Sequence, residues 1–434
     1  MTRSIRIAAL QLRAHDHSAF AGAADAAIDA VAEAANGAEL VVLPESTFPA
    51  YVLGDVRVDH DAVDAAVERL RELSRRTRTV IVAGVAMRVG AAVRNAAIVI
   101  DRDGSIAGRA DKLFLWHFDR RWFEQGEQLA PVPTSLGRLG VLICADGRIP
   151  TIARTLVDRG AEMLVMPTAW VTSGRDPNAL ENVQADLLAR VRAFENGVPF
   201  IAANKCGSEL GMVAYCGKSQ ILDAAGMPIA IASQTEPETL KAVVETGAGR
   251  PHRAQPAHPT PRATVAERPL RIGFSFDPLP SDIDARLALL DDAYALAPEN
   301  HDRIAALDRV VPTAVVGDEL ALDPAGLVAY RRAGYRLFVW STAGADSQWT
   351  ERIARARALE LRLYGIVFDR PNRRAYAVDP DGAVIAGTFG GFVLASFLLD
   401  PRRTMETAVA PGTDITDGLE RIASIVIRED RIQS

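Results

Sequence analysis

Gly137-Arg138-Leu139-Gly140-Val141-Leu142-Ile143-Cys144-Ala145-Asp146-Gly147-Arg148-Ile149-Pro150 is followed by a helix-like run and then by Met163-Leu164-Val165-Met166-Pro167-Thr168-Ala169-Trp170. Leu139–Ile143 is a short apolar run of the kind a buried strand shows, and Gly147 and Pro150 break it just after the thiol. The stretch therefore spells strand, elbow, helix, strand. Cys144 stands at the elbow, pointing out of a strand end towards a cleft built from loops. On this stretch alone two readings of Cys144 stand side by side: a nucleophile, or a small buried hydrophobe, as most free cysteines are.

The chain around the elbow has 434 residues, more than a single core usually holds, so two domains are expected. With 49% hydrophobic and 24% charged residues it reads as ordinary globular material. A formal net charge of −6 gives no electrostatic reason for nucleic acid or anionic lipid as a partner. Three cysteines, Cys144, Cys206 and Cys216, are too few and of the wrong parity for a disulfide framework, which points to a reducing compartment. No apolar run reaches the roughly 18 residues of a membrane span, and the start of the chain leads straight into a strand-like Ile5–Leu12. The expectation is a cytoplasmic protein. The seven histidines show no metal-ligand spacing, so no metal is expected.

Read in order, the chain offers a strand over 5–12 and a helix over Phe20–Ala35 stopped by Asn36-Gly37. Ala38–Leu43 is then a buried strand whose end presents Glu45 after Pro44. A helix over Ala62–Arg78 and a strand over Thr79–Ala86 follow. Asn95–Ile100 turns through Asp101–Gly104 into Ser105–Arg109 and releases Lys112 into an aromatic-rich loop holding Asp119 and Glu124. Beyond the elbow come a helix over Thr151–Arg159, a strand over Ala161–Met166, a long helix over Asn182–Asn196 and a strand over Pro199–Lys205. Closing antiparallel strands run through Lys218–Ala232 and Leu240–Val244. Strands alternating with helices, with hairpins mixed in, indicate a layered α/β fold.

A cleft holding a thiol, a carboxylate and an ammonium has a clear chemical use. The carboxylate takes the thiol proton and returns it to a leaving amine, while the lysine stabilises the thiolate and the oxyanion of a tetrahedral intermediate. No histidine is needed, although His117 lies close enough in sequence to keep a Cys/His pairing open.

Leu43-Pro44-Glu45, Asp111-Lys112-Leu113 and Gly140-Val141-Leu142-Ile143-Cys144-Ala145-Asp146, in this order, resemble the three motifs of the nitrilase superfamily of carbon–nitrogen hydrolases. Arg192-Ala193-Phe194-Glu195-Asn196, Asn204-Lys205 and Ser219-Gln220-Ile221 extend the likeness, which covers residues 1 to about 248. The resemblance implies a four-layer αββα sandwich and acyl-enzyme chemistry on Cys144, with Glu45 as base, Lys112 at the oxyanion and no cofactor. It further implies a second carboxylate after the lysine; counting back from Phe123-Glu124-Gln125-Gly126, Asp119 takes that place and Glu124 is the runner-up. Cys144-Ala145-Asp146 resembles amidases and carbamoylases more than nitrilases. The implied substrate is a small amide or ureido compound, with nitrilase or amine acyltransferase activity, or a non-catalytic binding role, as alternatives. Arg148 and Trp170 are the substrate-side candidates. Arg148 stands where some N-carbamoyl amino-acid hydrolases hold a carboxylate, and an ion pair with Asp146 is the competing reading.

Arg250–Pro269 is proline-rich and reads as a linker, so the domains are expected at 1–248 and 270–434, joined by 249–269. The second part repeats the first. Leu270–Phe274 with a helix over Ile283–Leu296 echoes the opening strand and helix. Thr313–Asp318 with Pro324–Trp340 echoes the elbow, helix and strand. Arg357-Ala358-Leu359-Glu360 echoes Arg192–Glu195, and Val378–Ala386 echoes Leu222–Ala230. Asp318 or Gly317 stands where the thiol belongs, and no cysteine follows Cys216 and no lysine follows Lys241. The expectation is a shortened, non-catalytic nitrilase-like domain, acting in an intrachain pseudo-dimer or within a homo-oligomer.

Overall fold

A computed structural model describes residues 3–433 apart from 55–56, 173–179, 264–265, 267, 278–280, 282–292, 298–300, 345 and 389–393. The chain divides into two compact units, Met1–Pro251 with Ala410–Ser434, and His252–Val409. Against the expected 1–248 and 270–434 joined by a linker, this differs at both ends: residues 252–269 cluster with the second unit and 410–434 with the first. The last 25 residues fold with the first unit, because their helix is amphipathic and buries Ile415, Leu419, Ile422 and Ile425 there.

The first unit begins with β1 (Arg3–Arg13), α1 (Phe20–Ala35), β2 (Leu40–Val42), α2 (His60–Thr77), β3 (Val80–Val89), β4 (Ala92–Ile100) and β5 (Ile106–Asp111). It continues with β6 (Val132–Thr134), β7 (Gly137–Val141), α3 (Pro150–Asp158), β8 (Met163–Pro167), α4 (Ala189–Asn196) and β9 (Phe200–Ala203). Next come β10 (Lys205–Glu209), β11 (Val213–Cys216), β12 (Gln220–Leu222), β13 (Pro228–Ile231) and β14 (Glu238–Thr246). One sheet runs β11-β10-β1-β2-β3-β4-β5, with β14 also on β1, and the other runs β13-β12-β9-β8-β7-β6. The sheets face each other through β1, β2 and β3 against β8 and β9, with α1 and α2 outside the first and α3 and α4 outside the second. This is the expected αββα sandwich. Its central strands β2, β8 and β9 are buried along their whole length because both faces are covered.

Local chemistry explains the elements. Asp59 caps α2 by accepting the Ala62 N–H at 3.0 Å. Val63, Ala66, Leu70 and Leu73 form its buried stripe, each larger aliphatic contributing roughly 1.5–3 kcal/mol. The alanines of α1 let it lie close on the sheet, and Gly37 (φ 102°) ends it. Two expectations change. The long helix over Asn182–Asn196 is a π-turn at Gln184–Leu188 leading into α4. Leu240–Val244 belongs to β14 and pairs with β1, 230 or more residues away, rather than with the β12–β13 pair. No helix among the described residues is long and apolar enough to cross a membrane.

The second unit contains β15 (Leu270–Phe274), β16 (Ala293–Leu296), α5 (His301–Asp308), β17 (Thr313–Val316), α6 (Asp318–Leu322), α7 (Val328–Arg332) and β18 (Leu337–Thr342). It ends with α8 (Ser347–Leu361), β19 (Tyr364–Asp369), β20 (Arg374–Val378), β21 (Val384–Thr388) and β22 (Ala395–Leu399). Its sheets run β17-β18-β19-β20-β21 and β16-β15-β22. Strand for strand, and parallel for parallel, these match β7-β8-β9-β12-β13 and β2-β1-β14. Side chains repeat too. Arg190 Nε donates to Gly226 O and Arg355 Nε to Gly382 O; Arg192 Nε donates to Gly147 O and Arg357 Nε to Ala321 O. Gly147 follows Cys144 by three residues and Ala321 follows Asp318 by three, which aligns Asp318 with the nucleophile position. The helix expected over Ile283–Leu296 lies mostly outside the described residues, and its last four form β16.

Candidate active site

Three backbone kinks deliver the side chains. Cys144, three residues past the end of β7, holds φ at 45°, a left-handed conformation that non-glycine residues rarely adopt and that clusters at functional sites. Ser46, directly after Glu45, has φ 44°, and His117, two residues before Asp119, has φ 49°.

Lys112 emerges from β5 with its N–H on Asn95 O (2.8 Å) and its carbonyl accepting the Gly126 N–H (2.9 Å). Its ammonium lies 2.7 Å from Glu45 Oε1 and 2.6 Å from Asp119 Oδ2, and all three side chains are fully buried. Burial alone lowers the Lys112 pKa, but Asp119 and then Glu45 raise it well above the ordinary lysine value. Of the two candidate carboxylates, Asp119 is the one on the Lys112 ammonium, while Glu124 is exposed and faces Arg94 at 3.6 Å. Asn95 Nδ2 also donates to Glu45 Oε1 (2.7 Å), so Oε1 is fully engaged, whereas the buried Oε2 has no hydrogen-bond partner among the described residues.

The Cys144 thiol is within electrostatic reach of both charged groups. Burial first and Glu45 second push its pKa far above the ordinary range, against Lys112, Thr168 and the Ala169 backbone, which favour the thiolate. Asp146 fastens the elbow to the lysine loop: Oδ1 accepts the N–H groups of Leu113 (3.0 Å) and Phe114 (2.7 Å), and Oδ2 that of Ile143 (3.0 Å). Burial pushes its carboxyl up to about 7 in spite of those donors.

Arg148 is half-buried, its guanidinium 4.5 Å from the centre of the Trp116 ring. Trp170 is buried with its N–H on Asn204 Oδ1 (2.7 Å), and its indole N–H has no partner among the described residues. His117 contributes its backbone N–H, to Thr413 Oγ1, and its ring stacks edge-on with Phe118.

Sequence reasoning passed over several contributors. A second buried pair, Lys205–Glu209 (2.6 Å), braces the segment after Glu45: Lys205 Nζ donates to Ser46 O (3.2 Å) and Glu209 accepts the Val52 N–H (2.7 Å). Tyr51, in that segment, sets its ring 5.6 Å from the Lys112 ammonium. Gly84 and Asn95 sit inside strands. The signals available were a glycine in a strand interior, which marks a close backbone approach, and an amide opening an apolar run.

Residues 6–253 match the family model described as carbon-nitrogen hydrolase. The chain is 30% identical over 161 residues to a probable nitrilase of Schizosaccharomyces pombe, spanning 37% of this chain and 56% of that protein. It is 32% identical over 240 residues to a deaminated glutathione amidase of Escherichia coli O157:H7, spanning 51% of this chain and 84% of that one. Among solved structures, an amidase from Nesterenkonia sp. superposes with a TM-score of 0.50 at 30% identity, covering 56% of this chain and 89% of that one. A glutamate-to-glutamine mutant of that amidase carries the acetamide moiety of fluoroacetamide on its active-site cysteine.

Proposed function

Since the chain belongs to the carbon-nitrogen hydrolase family, and is an enzyme of that type, we propose that it hydrolyses a small-molecule amide or ureido carbon–nitrogen bond through a thioester on Cys144. The observation that carries this reading is the fully buried Glu45–Lys112–Asp119 cluster beside a cysteine held at φ 45°.

Cys144 Sγ attacks the substrate carbonyl carbon as its proton passes to Glu45 Oε2, the oxygen left open by Asn95 and Lys112. The oxyanion is stabilised by the Lys112 ammonium and by the Ala145 N–H, because the first amides of a helical turn lack an intraturn acceptor. Glu45 then protonates the leaving nitrogen, the C–N bond breaks and the amine departs. Water attacks the thioester with Glu45 again as base, releasing the acid and restoring the thiol. Asp119 keeps Lys112 charged and oriented throughout. The covalent adduct on the active-site cysteine of the Nesterenkonia amidase, an alkylation that leaves the amide intact, supports a nucleophilic thiol at the matching position.

Incubation with a panel of short amides and N-carbamoyl amino acids, read by ammonia release and by intact mass, tests the proposal. One substrate leaves a mass increment on Cys144 equal to its acyl group, and Cys144→Ala shows neither increment nor turnover. Full turnover by Cys144→Ala sinks the reading. Arg148 takes the carboxylate end of such a substrate, as a planar guanidinium suits bidentate binding. Arg148→Met then raises KM about 100-fold for a carboxylate-bearing substrate, roughly 3 kcal/mol, and leaves that for an uncharged amide unchanged; equal effects on both refute it. The second unit, with Asp318 aligned to the thiol position and no cysteine, is assigned as a non-catalytic copy of this fold.

A further inference from the structure

The lysine loop, 112–129, is held by residues that come after the second unit in the chain. The helix α9 (Ile415–Gln433) packs on α3, with Gly418 so close to the loop that a Cβ there would stand 2.7 Å from the Phe114 ring and 2.9 Å from Ile149 Cδ1. Phe114 and Ile149 flank the two catalytic segments: the Phe114 N–H is bound by Asp146, and Ile149 closes the turn that starts at Cys144. Just ahead of α9, the buried Thr413 accepts the His117 N–H at 2.7 Å, at the left-handed residue that opens the turn presenting Asp119. Further along, Arg421 Nη2 donates to Gly126 O (2.8 Å), Arg428 to Glu127 O (3.2 Å), and Glu429 Oε1 accepts the Leu129 N–H (3.1 Å). The loop is thus gripped at four backbone groups spread from residue 117 to residue 129.

We propose that residues 410–433 are a strap that positions the lysine loop, with Thr413 and Arg421 as positioning residues for Asp119 and Lys112. The strap lies outside the stretch that matches the family model, residues 6–253. Its connection to the first unit runs through the whole of the second unit, residues 252–409. The catalytic unit is therefore complete only when the chain beyond the second unit is in place. Loss of four backbone anchors frees a loop whose lysine must sit within hydrogen-bond reach of two carboxylates, and misplacement on the order of 1 Å is enough to slow a positioned reaction strongly.

The inference rests on the proposed Glu45–Lys112–Cys144 chemistry, and the experiment separates the two. The full-length double variant Thr413→Val/Arg421→Met is compared with wild type, with Thr413→Ser, which keeps the hydroxyl, and with Cys144→Ala. Amide hydrogen exchange over peptides spanning 113–129 reports on the strap without any catalysis. The rate of Cys144 alkylation by iodoacetamide against pH, and hydrolysis of an amide identified in the panel, report on the site. The double variant exchanges at least about tenfold faster in 113–129, its alkylation profile shifts along the pH axis, and kcat falls about tenfold with KM little changed; Thr413→Ser behaves as wild type. Unchanged exchange in the double variant overturns the strap. Faster exchange with unchanged kcat and alkylation profile overturns its positioning role. Turnover by Cys144→Ala overturns the catalytic reading alone, and the exchange data still decide the strap.

Discussion

Glu45→Gln lowers amide turnover by about 10³- to 10⁴-fold, and at pH 7 its Cys144 reacts with iodoacetamide faster than the wild-type thiol. The two halves of this result come from one carboxylate doing two opposed things. As a base, Glu45 removes the thiol proton during attack, and glutamine cannot. As a fixed negative charge, it is the second cause, after burial, of the raised Cys144 pKa, while Lys112 pulls the other way. Removing the charge leaves Lys112 less opposed, so the thiol pKa falls and the thiolate fraction at neutral pH rises, by a factor of ten for each unit. Alkylation needs only thiolate and no proton return, so it gains where hydrolysis loses. Peptide mass spectrometry of Cys144 across pH 6–9 measures it, as an alkylation rate that is higher in the variant at each pH. A rate that stays or falls refutes the assignment of Glu45 as the group facing the thiol.

Glu45, Lys112 and Cys144 each stand just beyond an apolar or hairpin strand, where the chain turns into a loop, but that placement alone left each of them open; it was the likeness of their three motifs to the nitrilase superfamily that singled them out as candidates. Asp119 was a candidate only through that likeness, which fixes the place to count back to. The layered α/β order was legible because burial on both faces writes continuous apolar runs such as Leu40–Leu43 and Met163–Met166. What escaped is nonlocal. Lys205 is visible as part of the Asn204-Lys205 match, but its buried pairing with Glu209 exists only once the fold closes over both. The pairing of β14 with β1 is chosen by tertiary packing and not by either strand's own pattern. Thr413 meets His117 across 296 positions, with nothing in either neighbourhood to announce it. Asn95 reads as a polar strand residue, and its amide matters only because Glu45 arrives from another strand end.

Gly84→Ala, a change of one methyl group in the middle of β3, lowers kcat at least about 100-fold without replacing any charged side chain. A Cβ on Gly84 would stand 2.4 Å from Pro44 O and 2.6 Å from both Glu45 Cα and Ser46 N, all backbone atoms that cannot swing aside as a side-chain tip would. The same glycine's carbonyl receives the Thr47 N–H at 3.0 Å and the Phe48 N–H at 3.2 Å, so the Glu45 segment is laid directly along the strand. The segment cannot absorb the push by turning, because Ser46 is already at φ 44° and its carbonyl is held by Lys205. Glu45 has to move away from Asn95 and Lys112, each now 2.7 Å from Oε1. Overpacking of this kind costs about 1–3 kcal/mol, a fall of several degrees in the unfolding midpoint at roughly 2–4 °C per kcal/mol. Gly22→Ala, inside α1 with open space where its Cβ would go, is the matched control: it keeps wild-type kcat and gains about 0.5–1 kcal/mol from helix propensity. Calorimetry and steady-state kinetics on the pair separate placement from stability. If Gly84→Ala loses only stability and keeps kcat, the strand does not set the position of Glu45, and the close backbone approach is a packing feature alone.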